Sequence, residues 1–138
     1  MPRTVLVTGV SRHLGGRVAR ALSASTDVDR VIGVDVIPPP HSIGSAEFVR
    51  ADIRNPMIGR ILADSEVDTV LHMNVIATPT LAGGRTPQKE INVIGTMQLL
   101  GACQKSASVR RLVVKSTSAV YGASPRDPAM FTEEMAAK

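Results

Sequence analysis

Short apolar runs alternate along this chain with longer segments of helical period, and that alternation limits the fold more than any other feature. Strands joined by long connections of this kind lie parallel, with the crossover helices laid across the sheet. The sequence predicts strands over Thr4–Thr8, Arg30–Asp35, 46–50, 67–73 and 111–116. Helices are predicted over 14–25, 56–64 and 87–106, the last with Ile91, Ile94, Leu99 and Cys103 on its apolar face. Pro38-Pro39-Pro40 makes 36–40 a loop, because proline can neither join a ladder nor extend a helix. Residues 78–86 carry Pro79, Gly83 and Gly84 and read as a flexible connection, and the chain turns irregular after Tyr121-Gly122. The fold class is α/β: a doubly wound parallel sheet of about five strands in a single domain over 1–138.

Composition excludes several other classes. Hydrophobic residues make up 43% and charged residues 20% of the 138, a globular rather than a disordered balance. No apolar run approaches the roughly 18–20 residues of a membrane span. Met1-Pro2-Arg3 leads straight into the first strand, so no secretory leader is expected. Cys103 is the single cysteine, which excludes an internal disulfide and a cysteine-rich metal site and makes the cytoplasm the default compartment. The net charge of +4 is dispersed from Arg3 to Lys138, and its longest basic run is Arg110-Arg111. With only Phe48, Tyr121 and Phe131 as aromatics, a solvated surface is expected and a nucleic-acid interface is not.

Chemistry enters at the first strand-to-helix junction, Thr8-Gly9-Val10-Ser11-Arg12-His13-Leu14-Gly15-Gly16-Arg17. Backbone N–H groups at a helix N-terminus, at the positive end of the helix dipole, suit a pyrophosphate. Gly9 and Gly15 hold the outer places of a Gly-x-x-Gly-x-x-Gly pattern, and Arg12 stands in the middle one. Arg12 pairs with a phosphate oxygen or pushes the cofactor away; an ordinary two-glycine turn is the plain alternative. Asp35 ends the second strand twenty residues after Gly15, where a carboxylate accepts the hydroxyls of an adenosine ribose and repels a 2′-phosphate. That placement favours NAD over NADP. The expected cradle is Gly9, Ser11, Arg12, His13, Leu14, Gly15, Asp35 and Val36 in a Rossmann-like frame.

Four later segments complete a pattern: Ala51-Asp52-Ile53-Arg54, Val70-Leu71-His72-Met73, Asn92-Val93-Ile94-Gly95-Thr96 and Ser116-Thr117-Ser118-Ala119-Val120-Tyr121-Gly122. In order and spacing, with the loop and Asp35, the set resembles the extended short-chain dehydrogenase/reductase superfamily, and within it the NAD-dependent epimerase/dehydratase family. The resemblance implies that Asp52 accepts from the adenine amino group with Ile53 beside the ring. It implies too that Met73, Asn74 and Ile76 lie along the cofactor, and that Asn92 braces the active site through backbone contacts. Thr117 would be the catalytic hydroxyl that polarises the reacting oxygen. His72 reads as a packed structural residue and Cys103 as a small buried one.

The family's general base is a Tyr-x-x-x-Lys pair well beyond Tyr121. Pro125 stands four residues after Tyr121, so Tyr121 is not that tyrosine, and the pair is absent. The last predicted strand also has nothing after it to cover its edge. The chain is therefore expected to be the front portion of a longer protein, incomplete at its C-terminal end and inactive alone. The parent would be an NAD-dependent oxidoreductase acting on a nucleotide sugar or related alcohol by hydride transfer, dimerising through the helix around 87–106. An inactive NAD(P)-binding sensor or scaffold, and a ligand-free interaction domain, are the alternatives.

Overall fold

The computed structural model describes residues 3–76, 83–122 and 124–137. Five strands, β1 (Thr4–Thr8), β2 (Arg30–Asp35), β3 (Glu47–Arg50), β4 (Thr69–His72) and β5 (Arg111–Val114), form one sheet in the order β3-β2-β1-β4-β5. Every neighbouring pair is parallel. The helices are α1 (His13–Ser23), α2 (Ile58–Asp64), α3 (Arg85–Lys89) and α4 (Thr96–Lys105). A π-helical stretch, Glu90–Gly95, joins α3 to α4, and a 3₁₀ turn spans Ser118–Tyr121.

Side chains alternate across β1 and divide the core in two. Leu6 packs with Ile32, Val34, Ile58, Leu62, Val70, Leu99 and Cys103 under α2 and α4. Val5 and Val7 pack with Val10, Ala19, Val31 and Ile43 under α1 and the loop ahead of β3. Burial on both faces is why β1 and β2 read as continuous apolar runs. The doubly wound α/β fold expected from the sequence is the fold observed.

β1 and β2 have the predicted bounds, and the other three strands are shorter than predicted at their ends. Residue 46 lies outside β3, 67–68 and 73 outside β4, and 115–116 outside β5. α1 begins one residue early and ends at Ser23, and α2 starts only after a turn at Pro56 and Met57. The long helix starts at Arg85, inside the stretch expected to be a connection; residues 78–82 of that connection lie outside the described residues.

The π-helical stretch also corrects the predicted apolar face. The buried positions run Gly95, Leu99, Cys103, four apart, while Ile94 is 53% exposed. A wider turn over Glu90–Gly95 shifts the phase of the helix, so that glycine takes the inward place expected of Ile94. Gly101, midway between Leu99 and Cys103 in sequence, has nothing within 4 Å of the position a β-carbon would take. Gly101→Ala is therefore expected to stabilise the chain by about 0.5–1 kcal/mol, read as a rise in the urea midpoint.

Candidate dinucleotide site

The order β3-β2-β1-β4-β5 reverses direction between β1 and β4, and the crevice beyond the carboxyl ends of such a pair is where open α/β sheets hold ligands. Thr8 and His72 are partners in the register at that point. Gly9 follows at φ +75°, its N–H donating to Val34 O at 2.9 Å. A β-carbon on Gly9 would lie 3.0 Å from the backbone N and Cα of Asn74, so glycine is needed for both conformation and space. Gly15 is closer still: a β-carbon there would meet Gly9 O at 2.1 Å.

Arg12, in the middle place of the pattern, needs no glycine. It is the N-cap of α1 at φ −94° and ψ 160°, an extended conformation open to any residue. No side chain caps α1, and its first turn carries no acidic residue. The N–H groups there and the positive end of the dipole are left for an external anion.

Asp35 is buried, and both its oxygens are engaged. One accepts Ser11 N–H at 3.0 Å and the other Val36 N–H at 2.7 Å, while Ser11 Oγ donates to Ile37 O at 2.5 Å. The carboxylate thus staples the loop after β1 to the end of β2, and each oxygen keeps a further lone pair. Leu14, Val36 and Ile37 have exposed apolar side chains. Beside Val36 lies a groove of about 290 Å³ lined by Arg50, Ala51, Asp52, Asn55 and Met57.

Asp52 is gripped by Arg54, whose Nη2 reaches Oδ2 at 2.7 Å and whose Nε reaches Oδ1 at 3.0 Å. Hydrogen bonding from Arg54 holds the Asp52 carboxyl below its usual range despite partial burial. Arg54 Nη1 also reaches Glu90 at 3.4 Å, tying this loop to the π-helical stretch. Ile53 is buried, and its Cδ1 fills the space over Gly95 that a β-carbon would need.

At the end of β4, His72 is fully buried and held on both ring nitrogens: Nδ1 lies 2.8 Å from Thr8 Oγ1 and Nε2 lies 2.8 Å from Thr96 Oγ1. Thr8 Oγ1 accepts the N–H groups of Met73 and Asn74 at 3.0 and 3.1 Å. Two residues on, Asn92 clamps the backbone of buried Ile76: Ile76 N–H donates to Oδ1 at 2.9 Å and Nδ2 donates to Ile76 O at 2.8 Å. Gln88 Nε2 donates to the same carbonyl at 2.9 Å.

Thr117 stands past β5 as the N-cap of the 3₁₀ turn, its Oγ1 accepting Ala119 N–H at 3.1 Å. Tyr121 stacks on Phe131 with ring centroids 4.8 Å apart. Cys103 is buried, which pushes its thiol pKa up and leaves it no nucleophile. Among the described residues no cluster of His, Cys, Asp or Glu could hold a metal ion, and no helix is long and apolar enough to cross a membrane.

Ser11, Asp35 and Val36 meet at one edge of the crevice, with Asn74 against Gly9, whereas His13 lines another groove with Arg17, Arg20 and His41. Ile76 and Asn92 form a separate clamp. Sequence reading missed Thr8, Thr96, Gln88 and Arg54. Thr8 had a signal in ending the strand before the glycine turn, whereas nothing in the sequence marks its pairing with His72, 64 positions on.

An uncapped helix N-terminus at the switch point of a doubly wound sheet places the chain among the Rossmann-like α/β proteins. The sequence matches the NAD dependent epimerase/dehydratase family over residues 5–138, and the chain belongs to that family. It is 50% identical over 141 residues to an uncharacterized protein of Mycobacterium tuberculosis, covering 99% of this chain and 38% of that protein. It is 32% identical over 127 residues to CDP-paratose 2-epimerase of Salmonella typhi, covering 86% and 38% respectively. In fold it is similar to UDP-glucose 4-epimerase from Brucella ovis in complex with NAD. That likeness has a TM-score of 0.82 at 21% identity, over 99% of this chain and 42% of that one. The chain thus spans less than half the length of these relatives.

Proposed function

We propose that this chain is the dinucleotide-binding portion of an NAD-dependent epimerase/dehydratase-type oxidoreductase whose substrate is a nucleotide sugar or a related alcohol. The observation that carries the reading is the uncapped, acid-free N-terminus of α1, set against Gly9 at the switch point. The family's relatives support it: the Salmonella typhi protein is a CDP-paratose epimerase, and the Brucella ovis epimerase is in complex with NAD.

In this reading Gly9, Ser11, Arg12, His13, Leu14 and Gly15 cradle the pyrophosphate, with backbone N–H groups donating and Arg12 adding charge. Asp35 uses its remaining lone pairs for the ribose hydroxyls and Val36 covers the sugar. Asp52 and Ile53 stand at the adenine end, where Asp52 must share its carboxylate with Arg54. Met73, Asn74 and Ile76 line the run toward the nicotinamide, with Asn92 holding Ile76. NAD, when bound, supplies the hydride acceptor. Thr117, through its hydroxyl proton, polarises the substrate oxygen. This sequence carries no Tyr-x-x-x-Lys, so this reading assigns it no general base.

Two finer readings go with it. NAD is preferred to NADP, because a 2′-phosphate would face the Asp35 carboxylate. Assembly as a homodimer runs through the long helix, which exposes Val93, Ile94, Met97 and Leu100. The inactive sensor or scaffold remains the second reading, favoured by Arg12 in the place of a glycine.

Calorimetric titration with NAD and with NADP tests the proposal. Binding of NAD at least tenfold tighter than NADP is expected. Tighter NADP would overturn the reading of Asp35. If neither binds to a chain whose circular dichroism shows it folded, the dinucleotide site falls and the ligand-free module takes its place.

A further inference from the structure

The hydrogen bonds around Thr8 decide where the proton on His72 sits. A threonine hydroxyl has one proton to give and two lone pairs to receive. Both lone pairs of Thr8 Oγ1 are taken, by Met73 N–H at 3.0 Å and Asn74 N–H at 3.1 Å. Its own proton must therefore go to His72 Nδ1, 2.8 Å away, which makes Nδ1 an acceptor. The proton of the neutral ring then sits on Nε2 and is donated to Thr96 Oγ1 at 2.8 Å. Burial, with a smaller push from the Lys115 charge, moves the ring's pKa down to about 4 and keeps it neutral near pH 7.

The three residues come from three elements. Thr8 ends β1, His72 ends β4 and Thr96 opens α4, so one continuous donor chain runs from loop to strands to helix. Its first donors are the backbone N–H groups of Met73 and Asn74, and Asn74 is the residue whose backbone lies against Gly9. We propose that Thr8, His72 and Thr96 form a positioning relay, locked in one tautomer, that sets how the Met73–Asn74 backbone stands against the Gly9 turn and so fixes the mouth of the crevice between β1 and β4. As positioning residues, the three are assigned no contact with the ligand. They act through the backbone that lines its site, and the effect on affinity rests on the dinucleotide reading given above.

The first measurement needs no variant. Long-range ¹⁵N–¹H correlation spectra of the 138-residue chain report the tautomer of His72 directly. The Nε2–H form is expected, and the Nδ1–H form would overturn the relay. The second compares Thr96→Val, which keeps the shape and removes the acceptor, with Thr96→Ser, which restores it. NAD affinity is expected to fall about tenfold in Thr96→Val and to stay near the parent value in Thr96→Ser, the scale of one buried hydrogen bond. Amide exchange at Met73 and Asn74 should quicken in Thr96→Val alone. Unchanged affinity and exchange in Thr96→Val would sink the proposal. Should the parent chain not bind NAD, the dinucleotide reading fails by itself, and the relay still stands or falls on the tautomer and on the exchange of those two amides.

Discussion

Gly15→Ala is expected to lower the unfolding free energy by about 3 kcal/mol and to abolish dinucleotide binding by the chain. The reason is a backbone collision: the new methyl would lie 2.1 Å from Gly9 O and 2.7 Å from Gly9 C, with Val10 N at 3.3 Å. A flexible side chain in that place could swing aside, but the turn after β1 cannot. Gly9 N–H is bonded to Val34 O and Gly9 O accepts Arg12 N–H at 3.2 Å, so the turn is anchored on both sides. Either α1 is lifted off the sheet or the turn opens, and both spoil the packing of Ala19 and Val10. Urea denaturation followed by circular dichroism should show the midpoint falling by about 1–2 M for a chain of this size. A loss below about 1 kcal/mol would mean that the close approach of α1 to the turn is not what the glycine serves.

Acid should destabilise the chain through His72. Its pKa is about 4 in the folded state against 6.5 in the unfolded chain, so below pH 6.5 the unfolded state binds the extra proton. The stability from the neutral ring is complete above pH 6.5 and is lost as pH falls toward 4, up to about 3 kcal/mol over that window. The structure explains the direction. An imidazolium would turn a second N–H toward Thr8 Oγ1, which already accepts two backbone donors, and one of them would be stranded. Lys115, bonded through its backbone N–H to His72 O, adds positive charge nearby. Asp52 acts in the same sense only below about pH 4, because its lowered pKa delays its loss. Unfolding free energies at a series of pH values, for the parent and for His72→Gln, measure the contribution. An equal slope in both chains between pH 6.5 and 4 would show that the ring does not carry it.

The centre of the sheet was legible in the sequence because β1 and β2 are buried on both faces, and such strands must be nearly continuous aliphatic runs. Gly9 and Asp35 were legible because each answers to a local rule, a positive φ and a strand end. The helix phase was not. Ile94 follows the apolar period of an ordinary helix, but the wide turn over Glu90–Gly95 rotates it outward. That turn is part of an arrangement of distant partners: Asn92 clamps Ile76, Glu90 meets Arg54 and Gly95 receives Ile53. The engagement of Asp35 with Ser11 and of Asp52 with Arg54 was hidden for a similar reason, since spacing alone does not say which neighbour a carboxylate already holds.

Arg12 gives the crevice an unusual freedom. Gly9 and Gly15 are fixed by backbone geometry, so neither can change without disturbing the fold. Arg12 sits between them at an ordinary extended φ, and its guanidinium makes no ion pair among the described residues. Charge at the entrance is thereby uncoupled from the architecture that carries it. Substitutions at this one position can tune electrostatic attraction at the mouth across a positive, neutral or negative range while the scaffold beneath stays the same.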